Sequence, residues 1–389
     1  MKLLSEAKAT LEKNGAVIDE VFSTCSGSRP AEQLIWDRFF SILGWSYLHP
    51  EKARNLFRDS FNAQWENGML PLGQKPDSGQ TAQVRDHLTG PPLQGYLLWR
   101  LYELMEDKLK GKAFLKELYP KILAYHRYLY HNRDPEEEGV VYIRHPWESG
   151  VDPAPVWDAL LKTIDINELR QTQFQPEKKE SPFRVQDPFY NACLVWSNEC
   201  LIKVGAVLKE DILEIIQWNE LTIYSLNDKL WDEERGIYNA FDLNANSSIP
   251  ITSISGLLPM IGEVPTQDQA ECILCTLESS MFGGKSKEYH LCPTNSLNTD
   301  TLNFQSKWRG SVNLVANWML LQSLLRYDMV QMARRVKSDT LNLCSKYGFY
   351  EHYDARKMHF RPIGYGREED LVSAAICVDL LTREVEVGV

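Results

Sequence analysis

The sequence predicts an all-α fold, a toroid of paired helices with six inside, six outside and a funnel at one end. Three observations carry that expectation. Apolar residues recur at spacings of three and four along most of the chain. About twelve such stretches can be counted. Long loops rich in Gly, Pro and polar residues separate successive pairs, and loops of that length inside a compact domain are usually functional.

A weak first helix covers 2–21. The stretch 31–47 follows, with Leu34, Ile35, Phe39, Ile42 and Leu43 on one face. Pro50 sits where a helix begins, ahead of 51–64. Pro91 and Pro92 open 93–105, and Phe114, Leu115, Leu118, Ile122 and Leu123 mark 112–130. Further candidates are 188–208, 210–230, 266–277, 311–326, 328–346 and 369–381, with a short one near Leu257. The long loops fall at 68–90, 132–152, 163–184 and 281–309. No Gly/Ser linker or composition shift divides the chain, so 1–389 reads as one domain.

The formal charge of −11 argues against nucleic acid as a partner, because phosphate binding is driven by Lys and Arg. No apolar run reaches the roughly 18 residues of a membrane span. Lys2, Glu6, Lys8, Glu12, Lys13, Asp19 and Glu20 interrupt any signal-peptide core, which makes the cytoplasm the default location. The eight cysteines are scattered, and the C-x-x-C of Cys272 and Cys275 lies in a helical pattern, so both read as helix-face residues. The sequence holds no H-E-x-x-H, phosphate loop or dinucleotide fingerprint, so neither a metal nor another cofactor is expected. The acidic surface suits a monomer or a homo-oligomer equally.

Eleven Trp are present, and several adjoin carboxylates, as in Trp36–Asp37, Trp65–Glu66, Trp147–Glu148 and Trp157–Asp158. Flat rings beside carboxylates suit a sugar, which stacks its C–H face and needs directed hydrogen bonds; Trp also fills large helical cores. The segment Ile143-Arg-His-Pro-Trp-Glu-Ser-Gly-Val-Asp-Pro-Ala-Pro-Val-Trp-Asp158 concentrates three carboxylates, two Trp and three Pro. A rigid loop of this kind can hold a general acid against a bound ring. A second segment, Tyr347-Gly-Phe-Tyr-Glu-His-Tyr-Asp354, sets Glu351 among aromatics. Glycoside hydrolysis needs two such carboxyls, one protonated and one ionised.

Glu148-Ser-Gly-Val-Asp-Pro-Ala-Pro-Val-Trp-Asp158 resembles the E-S-G-x-D-x-S-P-R-W-D signature of glycoside hydrolase family 63 and its trehalase-like relatives. In the same order, Ile35-Trp36-Asp37-Arg38-Phe39-Phe40 resembles the family's W-D-x-x-F motif, and Trp65-Glu-Asn-Gly-Met-Leu-Pro71 its N-G-x-x-P loop. Val185-Gln-Asp-Pro-Phe-Tyr-Asn191, Trp308-Arg-Gly-Ser-Val-Asn-Leu-Val-Ala-Asn-Trp318 and Gly348-Phe-Tyr-Glu-His-Tyr-Asp354 match later motifs. The likeness runs over roughly residues 30 to 385 and is strongest to the bacterial branch hydrolysing mannosylglycerate and glucosylglycerate.

The resemblance implies an (α/α)6 barrel and an inverting α-glycosidase acting on a small α-glucoside or α-mannoside. It makes Asp152 the general acid and Glu351 the general base, with Trp36 and Asp37 on the sugar and Trp308 and Arg309 as pocket wall. Trp147, Glu148, Trp157, Gln186, Asp187 and Tyr353, inside the same motifs, complete the expected sugar-binding set. Asp152 must enter the reaction protonated, helped by partial burial and by negative charge such as Glu148.

Five positions depart from the family pattern: Gly90 for Gln, Ala154 for Ser, Val156 for Arg, Lys307 for Tyr and Val372 for an aromatic. They lie around the family's acceptor side, so the substrate is less determined than the reaction. A glycerate carboxylate would need a cationic clamp, for which Lys307, Arg309 and Arg367 are candidates, although Arg309 also suits a structural ion pair. His352 reads as structural, and His145 and His290 as solvated loop residues. Two other classes stay open: a sugar epimerase or isomerase, which would need paired histidines, and a barrel repurposed to bind a glycoside or other metabolite.

Overall fold

In the computed structural model of the chain, residues 2–24, 31–72, 74–75, 84–85, 87–172, 181–283, 289–356 and 363–383 are described. In chain order the helices are α1 (Lys2–Thr24), α2 (Ala31–Leu48), α3 (Pro50–Asp59), α4 (Gln94–Glu103) and α5 (Lys108–Asn132). Two short ones, α6 (Asp158–Leu161) and α7 (Ile166–Thr172), lie in the long loop that follows. Then come α8 (Pro188–Leu208), α9 (Leu213–Ser225), α10 (Gln267–Leu277), α11 (Leu314–Arg326), α12 (Val330–Tyr347) and α13 (Leu371–Thr382).

Helix packing closes a ring. α2 meets α4, α4 meets α8, α8 meets the 3-10 turn Leu258–Gly262, that turn meets α11, α11 meets α13, and α13 returns to α2. Outside it, α1 lies on α13 and α2, α3 on α2, α5 on α4 and α8, α9 on α8, and α12 on α11 and α13. α10 covers the strand Ile237–Tyr238. The chain therefore forms the expected (α/α)6 barrel.

Which helices go inside follows from their sequences. α13 buries every residue from Leu371 to Leu380, and α11 every residue from Leu314 to Leu324; helices apolar all round must be enclosed. α12 buries only Ala333, Val336, Thr340, Leu343 and Cys344, one face of an amphipathic helix. The fourth inner position holds only the five-residue turn Leu258–Gly262, where the sequence suggested a short helix near Leu257. A Cβ on Gly262 would lie 2.9 Å from the Ala192 carbonyl, so the turn seats closely against α8.

Several expectations need adjusting. The stretch 51–64 leaves the helix after Asp59, and 210–230 is α9 followed by a π turn at Leu226–Leu230. The stretch 112–130 begins a turn earlier, because Asp107 caps α5 by accepting the Leu109 and Lys110 N–H groups at 3.0 and 3.1 Å. Short strands escaped the helical periodicity. Tyr350–Asp354 lies between Val312–Asn313 and Ile363–Glu368 in an antiparallel sheet, with Tyr353 opposite both Val312 and Gly364. Val185–Gln186, Ala240–Asp242 and Ser247–Ile249 form another. Among the described residues no helix is long and apolar enough to cross a membrane.

Candidate active site

Three inner helices begin at one cavity of about 330 Å³. Trp36 and Asp37 reach it from the early turns of α2, and Asn313 and Asp370 as the residues capping α11 and α13. Each cap has a local cause. Asn313 accepts the Ala316 N–H at 3.2 Å, and Asp370 accepts the Ser373 N–H at 2.8 Å. Helix N-termini carry partial positive charge, which suits a site built from carboxylates. Glu351 enters on the strand Tyr350–Asp354, Arg367 on Ile363–Glu368, and Lys307 and Trp308 on the loop before Val312. Val315 and Val372 supply apolar wall.

The charges are interlocked. Arg367 donates from Nη1 and Nη2 to Asp37 at 3.1 and 2.8 Å, and from Nε to Asp370 at 2.8 Å. Burial works against its charge, but Asp370, Asp37 and Glu351 outweigh that and raise the guanidinium above its ordinary value. Glu351 accepts the Arg367 backbone N–H at 3.1 Å, and Lys307 Nζ stands 3.8 Å from its other oxygen.

Asp152 belongs to a different construction. It follows Gly150, whose φ of +74 turns the chain where a Cβ would lie 2.7 Å from the Trp36 ring. Trp36 Nε1 donates to the Gly150 carbonyl at 2.8 Å. Farther along, Asp158 accepts Arg309 Nη1 and Nη2 at 2.9 and 2.6 Å. These two tethers join the Asp152 loop to Trp36, at the cavity wall, and to Arg309, the residue after the cavity-lining Trp308. Asp152 is half-buried, and its Oδ1 is shielded from solvent.

Of the expected set, Trp36, Asp37, Trp308 and Glu351 line one cavity. The others stand behind or beside it. Glu148 is fully buried and accepts both Arg133 Nη atoms at 2.9 Å, the Thr89 N–H at 2.7 Å and the Arg144 N–H at 2.6 Å. Burial alone would raise its carboxyl, but Arg133 and those N–H groups hold it below the usual range. Its charge is thus paired in place by Arg133. Trp157 is buried against Phe183 and donates to the Val151 carbonyl at 3.3 Å. Arg309 is the structural ion pair with Asp158.

Gln186 is buried, donating to Glu138 and to the Val140 carbonyl. Asp187 caps α8 through the Tyr190 N–H at 2.6 Å, and burial pushes its carboxyl up to about 7. Tyr353 is buried, donating to the Gly348 carbonyl at 2.7 Å and accepting the Tyr350 N–H at 3.1 Å. Trp147 is half-buried beside His145, with ring centroids 4.7 Å apart. His145 is not solvated as expected: it is buried, accepts the Trp147 N–H at Nδ1, and is pushed down to about 4 by that burial. His352 is structural, 3.2 Å from the Gln305 carbonyl.

Asn313, Asp370 and Val315 were not singled out in the sequence. The first two had a readable signal, a polar residue directly ahead of an apolar helix. Arg133 had none, since its partner lies fifteen residues away across a loop. Cys272 and Cys275 are exposed in α10, and the described residues contain no cluster of metal-binding side chains. A second cavity of about 590 Å³, between α2, α3 and α4, is mostly apolar; it includes Gly90 but no expected site residue.

Residues 30–358 match the mannosylglycerate hydrolase MGH1-like glycoside hydrolase domain. A mannosylglycerate hydrolase of Thermus thermophilus is 31% identical over 83% of this chain and 88% of its own length. A glucosylglycerate hydrolase of Mycolicibacterium hassiacum is 23% identical over 82% and 85%. The crystal structure of a family 63 mannosylglycerate hydrolase from Thermus thermophilus in complex with Tris superposes with a TM-score of 0.84 at 28% identity, covering 98% of this chain and 100% of that one. A neutral trehalase from Saccharomyces cerevisiae, 11% identical with a TM-score of 0.64, shares the fold over 89% of this chain and 70% of its own. Barrel, motif order and relatives converge: the chain is a glycoside hydrolase and belongs to the mannosylglycerate hydrolase MGH1-like family.

Proposed function

We propose that the protein hydrolyses a small α-glucoside or α-mannoside with inversion, of the type in which the sugar is joined to glycerate. The observation that carries this reading is the convergence of Glu351, Asp37, Trp36 and Trp308 on one cavity to which the Asp152 loop is tied. In this reading the sugar stacks against the Trp rings and Asp37 takes its hydroxyls. Asp152 gives its proton to the glycosidic oxygen as the bond breaks. Glu351 removes a proton from the water that attacks the opposite face. An inverting pair needs room for that water, with carboxyls about 6.5–9.5 Å apart.

A glycerate carboxylate would meet Lys307, a flexible ammonium on the cavity wall. Arg309 and Arg367 are committed to two-pronged bonds with aspartates, which makes them poorer candidates. Proton NMR tests the whole proposal. Purified protein is given glucosylglycerate, mannosylglycerate and trehalose, beside an Asp152→Asn control. Early β-anomer, absent from the control, is expected. Early α-anomer would overturn inversion, and no release from any member would turn the reading toward a barrel repurposed for binding.

A further inference from the structure

Where the strand Ile363–Glu368 turns into α13, the segment 366–370 joins separate parts of the cavity. Gly366 has a φ of +80, and a Cβ there would lie 2.2 Å from Glu351 Oε2, so glycine lets the backbone pass against that carboxylate. The next peptide N–H, that of Arg367, bonds the same oxygen at 3.1 Å, while Arg367 Nε is 3.9 Å from Oε1. The Arg367 side chain then spans Asp37 and Asp370. On the far side, the Glu369 carbonyl accepts Asn14 Nδ2 at 2.7 Å and its carboxylate pairs with Lys13, which pins the turn to α1.

We propose that Arg367 is a positioning residue, holding Asp37 and Glu351 in fixed relation within the turn 366–370. The inference rests on the reading of Asp37 as sugar-holding and Glu351 as the base. Two carboxylates in one small cavity repel, and left alone they would move apart or turn toward solvent. A planar guanidinium grips Asp37 and Asp370 in defined directions and stands 3.9 Å from Glu351, which the backbone N–H of the same residue bonds; an ammonium of the same charge cannot grip two carboxylates side by side. Alignment of this kind matters steeply, since a displacement of about 1 Å at a reacting centre costs on the order of 100-fold in rate.

The test uses Arg367→Ala and Arg367→Lys in the full chain. Arg367→Ala is expected to lose about 100-fold in kcat and to recover part of it in millimolar guanidinium. Arg367→Lys keeps the parental melting temperature but stays at least about tenfold down in kcat, without rescue. The crystal structure of Arg367→Ala should show the Asp37 or Glu351 carboxylate displaced by about 1 Å. Parental kcat in either variant, or both carboxylates unmoved, overturns the proposal. If the parent protein hydrolyses no α-glycoside, the functional reading has failed, and the positions of the two carboxylates decide the positioning role alone.

Discussion

The wall that carries Glu351 and the loop that carries Asp152 hold their carboxylates by opposite means. On the Glu351 side the support is electrostatic: Arg367 and Lys307 stand directly against Glu351, Asp37 and Asp370 along the wall of one cavity. On the Asp152 side the support is steric and already neutralised. Glu148 and Arg133 cancel each other out of contact with water, Trp157 is sealed in the core, and Pro146, Pro153 and Pro155 stiffen the chain. A base must keep its charge beside incoming water, whereas an acid must be kept from wandering while it holds a proton. Under the proposed roles of base and acid, the two halves suit those needs.

The sharpest way to separate the halves is through leaving groups. Asp152→Asn and Glu351→Gln should each lower kcat by about 1,000-fold on a poor leaving group, within the range of a lost general acid or base. With an activated aryl glycoside, Asp152→Asn should regain most of that loss and Glu351→Gln none, because a good leaving group needs no proton. Equal recovery in both would remove the distinction between the two sides.

Next in size is the buried pair. Arg133→Met leaves Glu148 charged and enclosed, and should cost about 3–5 kcal/mol in urea unfolding. A loss under about 1 kcal/mol would mean that the Asp152 loop does not depend on it.

The third effect is one of pH. His145 titrates near 4 in the folded protein and near 6.5 unfolded, so between those values the unfolded chain binds the extra proton. The stability it contributes is present above pH 6.5 and lost as pH falls toward 4, about 3 kcal/mol in all. His145→Asn keeps an acceptor for the Trp147 N–H but cannot titrate, so its stability should fall less over that interval by about this amount.

The smallest change falls at the seam. The Arg309–Asp158 pair is partly exposed, so Arg309→Ala should cost at most about 1 kcal/mol of stability. It should nonetheless lower kcat several-fold through a looser Asp152 loop. Unchanged kcat would show that the Trp36–Gly150 bond suffices.

The barrel was legible because its helices are long and strongly patterned; α11 and α13, apolar all round, announce an inner position. The strand bearing Glu351 was not, since the five residues Tyr-Glu-His-Tyr-Asp show no strict alternation and are too few to outweigh the surrounding helices. In the site, Trp36, Asp37, Trp308 and Glu351 came to one cavity from motifs far apart in sequence. Glu148, Trp157 and Tyr353 occupy the same motifs yet serve as framework. A motif constrains residues that touch a ligand and residues that hold them in place alike, and one-dimensional spacing does not separate the two. His145 shows the same limit: a loop position suggests solvent, but the loop folds back over it.

Trp308 has a φ of +60, a left-handed conformation that costs a non-glycine residue roughly 1–2 kcal/mol. The bend separates its neighbours, so Lys307 faces the cavity and Arg309 faces Asp158. A backbone angle therefore decides which of two nearby cations lines the cavity. One left-handed peptide thus sets one basic side chain at the cavity and commits the other to bracing the Asp152 loop.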